Sequence, residues 1–340
     1  MALVILNYRP ERLSMRFTVI IPLYNKRAFV VQAVQSVLAQ EYIDFELLVV
    51  DDGSTDGSAE LIEEQVNDPR LRIIRQDNLG GSGGQARNTG MTDAQGEWFA
   101  FLDADDMWLS NHLTELAAIA EHVGQPALIS TTPQELSEGT VVKPDLRAKS
   151  TIHSGNYFVS AGGQIGLNNT SSTAIHRDIF ERIGGFINVR SGEDLEYWAR
   201  AALQFPYVSS NRETSVYYRG TMGTMEQLEV QSKGKQQPVP VKLQDVSPSL
   251  AMLCEKAAND PALFERDDIR FYVNGRLRAG MRINIRQSNP QNARLLRRFM
   301  IGSVMDHQTR VLSVAARLPR SVLRVLNAGY DLYVGKRRRR

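Results

Sequence analysis

Phe99-Ala-Phe-Leu-Asp-Ala-Asp-Asp106 is an apolar run that stops abruptly at three carboxylates, Asp103, Asp105 and Asp106. It reads as a buried strand delivering acids to the edge of a sheet, where the ligands of open α/β folds sit. Carboxylates at i and i+2 with a small residue between them can face one hard cation. Mg²⁺ or Mn²⁺ in such a place is shared between protein carboxylates and phosphate oxygens, so the stretch points to a nucleoside-diphosphate site. The same residues also read as an N-cap and first-turn acids, because Asp106 and Ser110 precede a helical pattern at about 110–122.

The flanking sequence repeats a strand-then-helix unit. Phe17-Thr-Val-Ile-Ile-Pro-Leu-Tyr-Asn25 is a β-branched run followed by a helical pattern through Val30, Val34, Val37 and Leu38. Phe45-Glu-Leu-Leu-Val-Val-Asp-Asp-Gly-Ser-Thr-Asp-Gly-Ser58 gives a strand, an acidic turn holding Asp51 and Asp52, and a helix through Leu61, Ile62 and Val66. A third strand, Leu71-Arg-Ile-Ile74, leads through Gly80-Gly-Ser-Gly-Gly84 into a helix with Arg87 and Asn88, ahead of the strand that ends at Asp103. Alternating β and α elements predict an α/β fold with a mainly parallel sheet and the connecting loops gathered along one edge.

Taken in order, Ile20-Ile-Pro-Leu-Tyr-Asn25, Val49-Val-Asp-Asp-Gly-Ser-Thr-Asp56, Ala86-Arg-Asn-Thr-Gly90 and Leu102-Asp-Ala-Asp-Asp106 resemble the successive signatures of family 2 glycosyltransferases with the GT-A fold. The resemblance continues through Ile183-Gly-Gly-Phe186 and Ser191-Gly-Glu-Asp-Leu-Glu-Tyr-Trp198 and covers roughly residues 16–220. It implies a GT-A domain over 16–230 after an N-terminal extension of 1–15. Residues 231–248, with Gly234, Pro238, Pro240 and Pro248, read as a linker, and 249–340 as an α-helical extension.

The resemblance also implies roles. Pro22, Leu23 and Tyr24 would line the base and ribose pocket, Asp51 or Asp52 would accept a hydrogen bond from uracil or its equivalent, and Arg87 would contact the nucleotide. Asp103 would lie near the ribose or the metal shell, and Asp105 would be the principal ligand of Mn²⁺ or Mg²⁺. In the family the acid pair, here Glu193-Asp194, approaches the acceptor as catalytic residues, and Asp194 resembles the general base that deprotonates the attacking hydroxyl, with inversion following from a single in-line displacement. Arg219, in Val216-Tyr-Tyr-Arg-Gly-Thr221, would neutralise the leaving diphosphate; where related enzymes often carry an Arg or His-rich segment, this stretch has Arg219 but no nearby histidine. Each residue has a plainer reading: turn capping for Asp52, a surface ion pair for Arg87, helix-dipole acids for Glu193 and Asp194, and a strand-edge charge for Arg219.

The implied function is transfer of a sugar from a nucleotide donor, expected to be a UDP-sugar, to a hydroxyl of a saccharide or lipid-linked acceptor in cell-surface polysaccharide or glycoconjugate synthesis. A catalytically silent sugar-nucleotide or membrane-surface binding protein is the alternative. A third reading comes from Gly81-Ser-Gly-Gly-Gln-Ala86, which matches a dinucleotide fingerprint and would make the chain an NAD(P)-dependent oxidoreductase. Six residues separate Ile74 from that first glycine, whereas the fingerprint sits tightly after the first strand of its unit.

Composition sets the remaining bounds. The 340 residues are 42% apolar, enough to bury a large core, and Cys254 is the sole cysteine, which fits a reducing cytosol. Ala2-Leu-Val-Ile-Leu6 is too short for a signal peptide and is followed by Arg9, Glu11 and Arg12; no window approaches a spanning helix. Charge is unevenly spread: residues 291–340 hold twelve Lys or Arg against two acids, about +10, and the remainder is about −8. Val304, Val311, Leu318, Val325 and Leu332 recur every seven residues, with Leu312, Ala315, Val322 and Leu326 beside them and Arg310, Arg317 and Arg324 on another face. Pro319 is expected to split this pattern into two helices that dock on an anionic membrane at its cytoplasmic face, or that pack on the protein itself. The few aromatics in the tail and the acidic remainder argue against nucleic acid as a partner. Residues 133–170 read as a polar segment bordering the acceptor site, and Leu253, Phe271 and Leu277 as core.

Overall fold

The computed structural model describes residues 17–137, 149–163, 169–219, 242–302, 307–319 and 321–323. Strands β1 (Phe17–Leu23), β2 (Phe45–Asp51), β3 (Leu71–Arg75) and β4 (Trp98–Phe101) pair in parallel in the order β3-β2-β1-β4. Helices α1 (Val30–Leu38), α2 (Ser58–Gln65) and α3 (Gly84–Asp93) connect them. Every residue of β2 is buried, as expected of a parallel strand covered on both faces.

The two-residue period of the strands assigns their side chains to two separate cores. Val19, Ile21, Leu23, Leu47, Val49 and Leu102 pack with α1 on one face; Ile20, Leu48, Val50, Phe99 and Phe101 pack on the other. Each such large apolar side chain, fully withdrawn from water, contributes about 1.5–3 kcal/mol.

Beyond β4 the sheet becomes mixed, continuing β8-β6-β9-β5. β5 is Met107–Trp108, β6 Leu128–Ser137, β7 Ile152–Gly155, β8 Thr173–His176 and β9 Tyr207–Arg219. β8 runs antiparallel between β4 and β6, β9 runs parallel to β6, and β7 pairs antiparallel with β9. Helix α4 (His112–Val123) begins after Asn111, so Asp106 does not cap it and the capping alternative for the acidic run falls away.

Residues 133–137, expected in a polar loop, are the second half of β6. Pro133 is accommodated where the β6–β9 register shifts, between Ser130 and Pro133. Within the same expected loop, α5 (Tyr157–Gly163) is a helix with Tyr157 and Phe158 buried.

After α6 (Arg177–Ile183) and α7 (Glu193–Ala202), the C-terminal part forms α8 (Pro248–Asn259), α9 (Asp267–Arg286), α10 (Pro290–Arg298) and α11 (His307–Ala315). These helices share one apolar cluster with the sheet: Leu250, Leu253, Tyr272, Leu277 and Leu296 pack with Tyr157, Trp198 and Phe101. The contact of α5 with α9 is close enough that a Cβ on Gly275 would collide with the Gly162 carbonyl. Phe271, expected in the core, is 37% exposed because it lies on the outer side of that contact, beside Gly163. Helix α10 ends at Arg298, and α11 ends at Ala315, ahead of Pro319, with 321–323 helical again. The heptad residue Val311 is exposed, whereas its neighbour Leu312 packs toward the core. Residues 1–15, 231–241 and 324–340, expected to be an extension, most of a linker and the basic end of the tail, lie outside the described residues. No helix among the described residues is long and apolar enough to cross a membrane.

Candidate functional site

Parallel register brings the strand ends together. Leu23 lies opposite Asp51, Ile20 lies opposite Phe101, and the Ile20 carbonyl accepts from Leu102 N–H at 3.1 Å, so the acids of both loops leave the sheet at one edge. The three carboxylates after β4 then part company. Asp103 Oδ1 accepts from Arg87 Nη2 at 2.6 Å; Asp105 Oδ2 accepts from Lys26 Nζ at 2.7 Å; Asp106 is buried, accepting from Ser171 Oγ at 2.5 Å and Tyr218 N–H at 3.2 Å. Burial, followed by the charges of Asp103 and Asp105, pushes the Asp106 carboxyl well above the usual carboxylate range. Asp103 is also raised, by loss of solvent and by Asp105 and Asp194, against the pull of Arg87.

Arg87 links this edge to the later acid pair. It is almost fully buried, donates through Nη1 to Glu193 Oε1 at 3.2 Å, and lies over the Phe186 ring at 5.6 Å. Burial works against its charge, but Asp103 and Glu193 outweigh that cost and its pKa rises. Glu193 is buried as well; desolvation and the neighbouring Asp194 push it up, against Arg87 and the Ser82 hydroxyl.

The segment that carries Glu193 is tied to α3, which carries Arg87, and to the glycine loop before it. Asn88 donates to the Phe186 carbonyl at 2.9 Å and accepts Phe186 N–H at 2.7 Å. A Cβ at Gly185 would strike the Asn88 amide, so glycine there is a condition of this clasp. Ser82 Oγ donates to the Val189 carbonyl at 3.0 Å, and Asn188 Nδ2 to the Leu79 carbonyl at 3.1 Å. Both α3 and α7 start after a glycine in the left-handed region, Gly83 at φ 90° and Gly192 at φ 82°.

Asp194, the next residue of α7, is half-buried and accepts the N–H of Leu195 at 2.7 Å. The C-terminal helices stand behind it. Pro248, at the start of α8, adjoins Gly192, and Tyr272 of α9 lies 6.1 Å from Tyr157, ring to ring. Both phenols are pushed up, first by burial, and the Asp194 charge adds to each.

The expected nucleotide residues are placed unevenly. Asp51 Oδ1 accepts Ser54 N–H at 2.9 Å, and Asp52 Oδ1 accepts from Gln76 Nε2 at 2.6 Å and Leu79 N–H at 3.2 Å. Pro22 faces Gly83 and Tyr24 is exposed. Leu23 corrects the expectation: strand alternation turns its side chain into the core with Val19 and Ile21, and its carbonyl accepts Asp52 N–H at 2.8 Å. Arg219 closes β9, and its side chain lies outside the described residues.

Lys26 and Ser171 escaped the sequence reading. A loop lysine and a serine in a short turn carry no periodic signal, and their partners lie 79 and 65 residues away.

Among the described residues no group of three or more His, Cys, Asp or Glu could hold a metal ion. Asp103 and Asp105 still fit a Mg²⁺ or Mn²⁺ ion. Both are hard oxygen donors, their repulsion is what a dication relieves, and such ions commonly take one or two carboxylates and complete their shell with phosphate and water.

A family model described as glycosyl transferase family 2 matches residues 18–184, the span that contains β1–β4 and the acidic run. Over those residues this is a family 2 glycosyltransferase domain. Glycosyltransferase GlyG of Streptococcus pneumoniae is 37% identical over 105 residues, 31% of this chain and 35% of that protein. Such alignments span 30 to 53% of the length of the first curated relatives. Among solved structures, Staphylococcus aureus TarS 1–349 with UDP-GlcNAc superposes with a TM-score of 0.53 at 17% identity, covering 92% of each chain. Mannosyltransferase PcManGT of Pyrobaculum calidifontis with GDP-Man and Mn²⁺ gives 0.54 at 19%, covering 97% of this chain and 83% of that one. At these identities the likeness shows the fold, and the glycosyltransferase domain is of the GT-A type. Its fingerprint-like glycines follow the edge strand β3 rather than β1, so the dinucleotide reading has no structural context.

Proposed function

We propose that this protein transfers a sugar from a nucleoside-diphosphate donor to an acceptor hydroxyl with inversion at the anomeric carbon. The observation that carries this reading is the buried Arg87, which bonds both Asp103 of the strand-end acids and Glu193 beside Asp194. Donor-side and acceptor-side motifs separated by about a hundred residues thereby become one site. Asp105 and Asp103 would hold a divalent cation, whose chemistry is neutralisation of charge on the leaving diphosphate. Asp194 accepts the proton of the attacking hydroxyl, since it is the partly exposed member of its pair. Glu193, ion-paired and buried, positions Arg87 and the start of α7 rather than touching substrate. TarS with UDP-GlcNAc supports a uridine nucleotide, bound across Pro22, Tyr24 and the Asp51–Asp52 turn.

The test is donor turnover. Purified protein is incubated with UDP-, GDP- and TDP-sugars and Mn²⁺ or Mg²⁺, with and without a crude lipid or saccharide acceptor, and nucleotide release is measured. Metal-dependent release that disappears in Asp105→Ala is the expected result. Nucleotide binding without release from any donor would leave a silent sugar-nucleotide binding protein as the better reading.

The acceptor is proposed to be a saccharide or a lipid-linked saccharide in surface polysaccharide synthesis at the cytoplasmic face of a membrane. Exposed Val311, Val314 and Val322, with exposed Arg310 and Arg317 near them, support contact with anionic lipid. Salt-sensitive binding to phosphatidylglycerol vesicles is expected, and partitioning unchanged by deletion of 318–340 would remove the tail from that role.

A further inference from the structure

Lys26 holds the acid that the proposed function gives to the metal. It sits in the loop between β1 and α1, and its backbone is fixed on both sides: its N–H donates to Ser58 Oγ at 3.0 Å, and its carbonyl accepts Phe29 N–H at 2.9 Å and Val30 N–H at 3.0 Å. From this anchored position Nζ reaches Asp105 Oδ2 at 2.7 Å and lies 5.9 Å from the centre of the Phe29 ring. The two side chains are only 17% and 15% exposed, so the pair is largely screened from water.

The neighbouring acids are held differently. Asp103 is gripped by the buried, planar guanidinium of Arg87, and Asp106 by a hydroxyl and a backbone N–H, whereas Asp105 is gripped by a point charge on a flexible four-carbon stem. Such an ammonium is also an effective phosphate binder, and a diphosphate carried by a cation on Asp105 would lie within its swing.

We propose that Lys26 is a competing cation built into the donor site. With no donor bound, its ammonium occupies the Asp105 carboxylate and opposes a divalent ion there. When the nucleotide diphosphate arrives, Lys26 moves to the phosphate oxygens and yields the carboxylate to the metal. Metal and nucleotide then bind with positive coupling, each raising the affinity of the other by the same factor. The inference rests on the reading of Asp105 as a metal ligand. If the ion pair is formed in about nine of ten free molecules, the metal sees about one tenth of the sites as open, and its apparent affinity falls about tenfold.

The experiment measures Mn²⁺ affinity directly, by the electron paramagnetic resonance signal of free Mn²⁺, with and without saturating UDP, and needs no turnover. Four proteins are compared: wild type, Lys26→Met, Asp105→Asn, and Arg27→Met, which removes the same charge one residue away. Without UDP, Lys26→Met is expected to bind Mn²⁺ about tenfold more tightly than wild type, with Arg27→Met changed less than twofold and the Lys26→Met advantage shrinking once UDP is present. Equal affinity in Lys26→Met and wild type, with binding still weakened in Asp105→Asn, overturns the competition and leaves Asp105 a metal ligand. Equal tightening in Arg27→Met reduces the effect to general charge and also overturns it. Binding in Asp105→Asn that matches wild type with UDP present overturns the metal-ligand reading and, with it, this inference.

Discussion

Two groups of acids meet at this site, one carried by the end of a strand and one by the start of a helix, and they are held by different means. Asp103, Asp105 and Asp106 follow β4 and are held by partners from four parts of the chain: Asp103 by Arg87, Asp105 by Lys26, and Asp106 by Ser171 and the Tyr218 backbone. Glu193 and Asp194 open α7, where Glu193 is buried against Arg87 and Asp194 bonds its neighbour's N–H. In each group the fully buried acid is satisfied by the protein, and a more accessible neighbour, Asp105 or Asp194, is the one proposed to meet metal or acceptor. Adjacent carboxylates can therefore differ in role because their partners differ.

The sharpest break of this comparison is within the helix-borne pair. Asp194→Asn is expected to lower turnover with acceptor by about 10² to 10⁴, while thermal unfolding stays near wild type, because no buried ion pair is lost. Next is the residue shared by both groups. Arg87→Met strands the buried Glu193 and should cost about 3 kcal/mol in urea unfolding, somewhat below a fully buried pair because Asp103 keeps access to water. A stability loss under about 1 kcal/mol would mean that the two groups are not coupled through this guanidinium.

A third change addresses what supports each group. β4 is held by the sheet, but α7 is backed by α8, α9 and α5, whose closest approach is Gly162 against Gly275. Gly275→Ala should destabilise the protein by about 1–3 kcal/mol and impair acceptor use more than UDP affinity. The smallest expected effect is a pH dependence. Asp106 has its folded-state pKa raised above the unfolded one, so the folded state binds more protons and this group's contribution falls as pH rises through the window above about 4. The stability of Asp106→Asn relative to wild type should therefore increase between pH 4 and 7, read from paired denaturant curves. A constant difference would show that Asp106 ionises without penalty.

The strand-end acids were easier to read in the sequence than their partners. Apolar runs, β-branched residues and the i, i+2 spacing located β1 to β4 and the loops at their ends, because those signals are local. The pairing of Asp105 with Lys26 or of Asp106 with Ser171 depends on which loops the sheet register brings together, and no local pattern encodes it. Leu23 was misplaced although its period was available: it alternates with Pro22 and joins Val19 and Ile21 in the core. Residues 133–137 belong to a stretch whose polar composition hides a strand, and the register shift that accommodates Pro133 within it is a tertiary feature. The C-terminal helices were legible as helices, but their packing behind Asp194 was not, since it rests on a glycine contact between segments more than a hundred residues apart.

The most direct measurement is a side-by-side titration of UDP in the presence of Mn²⁺, by calorimetry, for wild type, Asp105→Ala and Asp194→Asn, with transfer to acceptor assayed on the same preparations. The account predicts that Asp105→Ala loses UDP affinity, whereas Asp194→Asn binds UDP like wild type and fails in transfer. UDP binding equally weakened in both variants, or transfer by Asp194→Asn at the wild-type rate, would contradict the division of the site into a donor-holding strand end and a proton-accepting helix start.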